Sequence, residues 1–179
     1  IILLPILIFF HTHGVITHDE GYILHNAQMT LEGQIPFRDF RFVYTPGSLL
    51  LTALSFKLFG VSVLSSRILM LTLSIISTIL IYKCVQMPTR NKLYSTIAVL
   101  IYVAWGPTHI NFSWPVMFVM PFALLACYLA LKFLETRNSK YLFFAGFVAF
   151  SVFVFKQNFG LAIMLPFIAF FLVKSSREF

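Results

Sequence analysis

Apolar residues fall along this chain in long runs separated by short polar connections, with a single long polar stretch near the start. The runs cover residues 1–10, 46–59, 61–82, 93–110, 115–134, 141–155 and 159–173. Their lengths suit helices that cross a hydrocarbon core of about 30 Å rather than strands. Run 1–10 reads as the outgoing end of a span, since roughly 20 apolar residues are needed to cross. It has neither the basic segment nor the small-residue cleavage site of a signal peptide. Run 46–59 is short, is interrupted by Lys57 and ends at Gly60.

Composition agrees with this pattern. Hydrophobic residues make up 59% of the 179, aromatic ones 17%, and charged ones only 11%, against about 25% charged in a soluble domain. Disorder is excluded by the apolar content, a collagen-like repeat by 8 Gly, and a disulfide-stapled module by 2 Cys. The expected fold is therefore all-α, a polytopic transmembrane helical bundle. The chain begins Ile-Ile-Leu-Leu without Met and ends just past an apolar run, which reads as a piece of a longer membrane protein.

Basic residues orient the spans. Lys83, Arg90 and Lys92 share one connection, Lys132, Arg137 and Lys140 another, and Lys174 and Arg177 the tail; these are eight of the 13 Lys and Arg residues. The positive-inside rule makes those three segments cytoplasmic. The polar stretch 11–45 and the connections near 107–114 and 157–158 then face outward. This works only if run 46–59 lies in the outer interface instead of crossing. The expected organisation is one transmembrane domain: 1–12 the end of the first span, 13–60 an extracytoplasmic loop with two interfacial helices, and 61–179 five further spans. The net charge of +7 is then accounted for by orientation and lipid headgroups, with no nucleic acid required.

The outward loop holds the candidate chemistry. Thr17 and Glu20 form a capping box ahead of Tyr22, Ile23, Leu24, Ala27 and Leu31, and Gly33 suits a stop. A short amphipathic helix follows, with Asp19 and Glu20 in its first turn. Acids there are favourable with the helix dipole in any case, so a purely structural role is the competing reading. Arg38 and Arg41, beside Phe37 and Phe40, can hold an anionic headgroup or a phosphate, or simply form a solvated contact with Asp39. Arg67 lies about two turns into a span and Lys156 ends another. Both are expensive in lipid unless they snorkel or face the bundle, where Lys156 and Arg67 are candidates to bind a donor phosphate entering from the outer leaflet. His11, His13 and His18 lie near Asp19 and Glu20 as metal ligands by type, without a recognised spacing; polar anchoring is the alternative. Cys84 and Cys127 fall within or near span ends, where a disulfide is not expected. No phosphate-cradling Gly loop, GxSxG elbow or HExxH occurs.

Taken in order, several pieces resemble one family. They are Asp19-Glu20-Gly21-Tyr22, Glu32-Gly33-Gln34-Ile35-Pro36-Phe37-Arg38-Asp39-Phe40, Tyr44-Thr45-Pro46-Gly47 and Leu58-Phe59-Gly60-Val61-Ser62 with Arg67. The set is similar to the N-terminal half of the polyprenyl-phosphate-dependent GT-C glycosyltransferases, which include protein O-mannosyltransferases and the lipid A aminoarabinose transferase. The resemblance implies a GT-C-like bundle with juxtamembrane helices in the first extracytoplasmic loop. It implies Asp19 as the catalytic acid, a general base or a ligand of a divalent metal cation, with Glu20 its neighbour in the motif. Lys156 becomes a contact for the donor phosphate, with Arg67 in the family's small-residue-then-Arg stretch; Arg38 and Arg41 are the further candidates. Implied partners are a polyprenyl-phosphate-linked sugar donor, membrane lipids and a glycan, lipid or protein acceptor, at the outer face of the cell membrane. Two departures stand out. Thr45 occupies the place of a phosphate-binding Lys in some members, and His109, Ile110, Asn111, Phe112, Ser113 and Trp114 carry no second acid.

Two other function classes fit the composition. A transporter or flippase would line a path with Arg67 and Lys156. A non-catalytic scaffold would use neither. Clustering of the ionisable groups in one outward loop favours the enzyme.

Overall fold

The computed structural model describes residues 3–13 and 17–177, with the side chains of residues 17, 18, 167 and 170–177 outside the description. The Thr17 hydroxyl, the His18 imidazole and the Lys174 and Arg177 side chains therefore lie outside the described residues. The described chain is helical, in the order α1 (Leu3–Thr12), α2 (Thr17–Leu31), α3 (Gly47–Phe59), α4 (Val63–Thr89), α5 (Lys92–Trp105), α6 (Pro115–Thr136), α7 (Ser139–Ser151), a 3-10 turn (Val152–Val154) and α8 (Gln157–Arg177). This is an all-α membrane fold. Val63–Thr89 and Pro115–Thr136 are long and apolar enough to cross a membrane.

Local chemistry sets the boundaries. Gly33 and Gly60 take positive φ of 93° and 85° after α2 and α3, a region open to glycine without a Cβ penalty. The Ser62 hydroxyl accepts from the Ser65 amide to cap α4. Two helix hairpins end alike: α4 meets α5 through Thr89-Arg90-Asn91, and α6 meets α7 through Thr136-Arg137-Asn138. In each, Arg sits in the left-handed region and the Asn carboxamide oxygen accepts from the amide of the second residue of the next helix, Leu93 or Lys140. Run 93–110 is shorter than its apolar content predicts. Helix α5 stops at Trp105 because Gly106 and Pro107 follow, and Gly106 instead accepts from the His109 and Ile110 amides in a tight turn.

Helix α4 is the spine, packed against α1, α3, α5 and α6. One apolar cluster joins Met70 of α4 with Met117, Phe118 and Val119 of α6 and Val152 and Phe155 beyond α7. A second holds α2 to α3 through Ala27, Phe42, Leu49, Ala53 and Phe56. Near one end of the bundle these clusters meet at Tyr44 and Trp114, whose rings pack edge to face at 5.7 Å.

Candidate active site

The α2 first turn is tied to α4 by a buried ion pair. Arg67 Nε and Nη2 donate to Glu20 Oε1 and Oε2 at 2.5 and 2.6 Å. The two residues are only 3% and 1% exposed. The parallel two-bond geometry suits a planar guanidinium facing a carboxylate. Glu20 therefore turns to Arg67. Asp19, one residue earlier, lies on the exposed side of the same turn.

Three further segments close round that turn. The Ser66 and Ser113 hydroxyls share a hydrogen bond of 2.9 Å, bringing the α5–α6 connection to α4. The Asn111 carboxamide donates to the Phe10 carbonyl and, at 3.3 Å, to the His13 carbonyl at the end of α1. From α2 an aromatic series runs back to the same place: Tyr22 stacks on Phe42, Phe42 meets Tyr44, and Tyr44 meets Trp114. The Tyr22 hydroxyl donates to the Arg41 carbonyl at 3.3 Å, which holds the returning loop against α2. Burial first, then the charge of Asp19 and the neighbouring Tyr22, push the Tyr44 phenol above its ordinary value.

Lys156 approaches through a different contact. A Cβ on Gly47 would stand 2.4 Å from the Val154 carbonyl oxygen and 2.9 Å from the Phe155 ring, so the start of α3 lies directly on the turn before Lys156. Phe155 is fixed between Phe118 and Phe122. The half-buried Lys156 ammonium sits 5.2 Å from the centre of the Phe159 ring. Arg41 is exposed, and Arg38 is held at the loop tip by Asp39, with Nε and Nη2 at 2.8 and 2.9 Å from its two oxygens.

The metal expectation meets a sparse donor set. Among the described residues no group of three or more His, Cys, Asp or Glu side chains comes together. His11 is buried with Nδ1 donating to the Leu7 carbonyl, leaving Nε2 to accept from Ser74 at 3.3 Å. His13 stacks on Phe9, and Glu20 is taken by Arg67.

Tyr44, Trp114, Ser66, Ser113 and Asn111 escape sequence reasoning because each acts through a partner far along the chain. The signal available was the polar face of α4, where Ser66, Arg67, Ser74 and Ser77 recur at helical spacing inside an apolar run and are all buried.

The bundle end of this all-helical membrane fold thus holds an exposed acid, Asp19, beside a buried ion pair. The family model for dolichyl-phosphate-mannose-protein mannosyltransferases matches residues 44–179, and the chain belongs to that family. The match begins at Tyr44, so α2 precedes it while Arg67, Trp114 and Lys156 fall inside. No match is found among curated proteins or among solved structures.

Proposed function

We propose that the chain carries the acceptor-activating end of a multi-pass membrane glycosyltransferase that takes its sugar from a polyprenyl-phosphate donor at the extracytoplasmic face. The acceptor is a glycan, lipid or protein hydroxyl. The reading rests on one observation above the others: the Glu20–Arg67 pair fixes the first turn of α2 and leaves Asp19 on its exposed side.

In this mechanism the acceptor oxygen attacks the anomeric carbon as Asp19 takes its proton. The bond from that carbon to the phosphate oxygen breaks, and polyprenyl phosphate leaves with the electron pair. A positioned carboxylate contributes about 10²–10⁴-fold to such a step. Lys156 and Arg41 are the proposed contacts for the charge developing on the leaving phosphate, a role suited to preorganised cations. Arg38 is tied to Asp39, and the pair brings no net charge of its own to that surface. Arg67 acts through Glu20, as a positioning residue. No step is routed through a metal.

Helix α3 fits the outer interface in this reading. Its 13 residues span only about 20 Å, and one face is buried while Leu50, Leu54 and Leu58 line the other. The experiment is Asp19→Asn in the full-length protein, reconstituted with a polyprenyl-phosphate sugar. Transfer is expected to fall by about 10²–10⁴-fold with membrane insertion and melting temperature retained. Parental transfer rates would remove Asp19 from the mechanism.

A further inference from the structure

The connection from α2 to α3 carries a strained backbone at its exposed tip. Phe37 takes a φ of 67°, a region where a bulky L-residue is a true outlier. Its ring is not tucked away, since the residue is 60% exposed, and neighbouring Ile35 is exposed as well. The conformation is nevertheless held from several sides. The Asp39 carboxylate accepts from the Ile35 amide at 2.7 Å and from the Arg38 guanidinium. The Phe37 amide donates to the Phe40 carbonyl at 2.9 Å, and the Arg38 and Asp39 amides both donate to the Ile35 carbonyl. On the inner side Phe40 and Phe42 anchor the loop to the α2–α3 cluster. A backbone outlier persists only where its surroundings over-determine it, and such outliers gather where a segment meets a ligand or partner.

We propose that the tip formed by Ile35, Pro36, Phe37 and Arg38 docks into the bilayer surface beside it. Phe37 and Ile35 enter the boundary between headgroups and acyl chains, and Arg38 contacts lipid phosphodiesters. Three observations select a lipid leaflet as the occupant. Charge is complementary: the tip, residues 35–41, carries Arg38 and Arg41 against the single acid Asp39 and so presents net positive charge toward phosphate. The surface is continuous: the loop leads straight into α3, whose Leu50, Leu54 and Leu58 stripe is also uncovered by protein. The chemistry matches: an aromatic ring and an aliphatic side chain beside a guanidinium are what interfacial anchors present. The inference rests on the outer-interface placement of α3 proposed above, but not on Asp19 or on transfer.

The test places a nitroxide at Ile35→Cys in the full-length chain, with Cys84→Ala and Cys127→Ala, in liposomes of phosphatidylethanolamine and phosphatidylglycerol. Collision with oxygen and with a water-soluble nickel complex reports depth. The expected result is a several-fold higher oxygen-to-nickel ratio than at an exposed control, Glu32→Cys. Adding Phe37→Asp should return the ratio toward the control, whereas Phe37→Leu should keep it. A label as accessible to nickel as the control would overturn the proposal. So would an immobilised label reached by neither reagent, since protein would then cover the tip. Melting temperatures of the Phe37 variants separate loss of docking from loss of fold.

Discussion

Arg67 closes two of its guanidinium nitrogens on the Glu20 carboxylate, at 2.5 and 2.6 Å, one residue along the chain from the exposed Asp19. The pair joins residues of two different helices inside the protein. Removing one partner leaves a buried charge without its countercharge, which costs about 3–5 kcal/mol. Arg67→Met or Glu20→Gln is therefore expected to lower the melting temperature sharply and transfer with it. The double variant Arg67→Met/Glu20→Leu should recover part of the stability and little of the transfer. Single variants that melt like the parent would show that the pair does not hold α2.

Lys156 is expected to act on the donor and not on the fold. A charge-assisted contact to phosphate is worth about 1.5–3 kcal/mol, so Lys156→Ala should weaken binding of a polyprenyl-phosphate analogue by about 10- to 100-fold. Its melting temperature should barely move, and Lys156→Arg should retain most of the affinity. Equal affinity of the Ala variant and the parent argues against the contact.

One kind of substitution should have opposite effects at two glycines. In Gly47→Ala the new methyl meets the Val154 carbonyl at 2.4 Å, and backbone on both sides gives it little room. Overpacking of this kind costs about 1–3 kcal/mol. Gly21 lies inside α2 with nothing within 4 Å of its would-be Cβ, so Gly21→Ala should stabilise by about 0.5–1 kcal/mol through helix propensity. Thermal melts of the two variants check both signs.

The loop tip should be sensitive to acid only well below neutrality. Hydrogen bonds from the Arg38 side chain and then from the Ile35 amide hold the Asp39 carboxyl at about 2, below its ordinary 3.8. A carboxyl depressed in the folded state contributes fully above its unfolded value, and the contribution is lost as pH falls through the folded one. Protection of the Ile35 amide against hydrogen exchange, corrected for intrinsic rate, should stay level down to about pH 4 and decline toward pH 2. Asp39→Asn should reduce the protection and abolish that decline.

Much of the fold is legible in the apolar runs, because a helix in lipid must satisfy its backbone internally and so declares itself by length. Run 115–134 becomes α6 almost unchanged, and Gly60 separates α3 from α4 as expected. Helix α5 falls short of its run because hydropathy does not register the turn chemistry of Gly106 and Pro107. For the site, Asp19, Glu20 and Arg67 stand out as charges amid apolar sequence. That Glu20 and Arg67 face each other does not, since their pairing depends on how α2 lies across α4. Tyr44 and Trp114 are hidden for a related reason: in a chain this rich in aromatic residues, no single ring is conspicuous until its neighbours are known.

The close approach of Gly47 to Val154 also sets an order of events. Roughly a hundred residues of synthesis separate the two, which at about 5–20 residues per second leaves the start of α3 waiting roughly 5 to 20 s for the backbone that closes on it. The ion pair of α2 with α4 can form well before that, and Lys156 arrives with the closing segment. Asp19, Glu20, Arg41 and Arg67 are thus all in place along the chain before Lys156, the last part of the candidate site, is made.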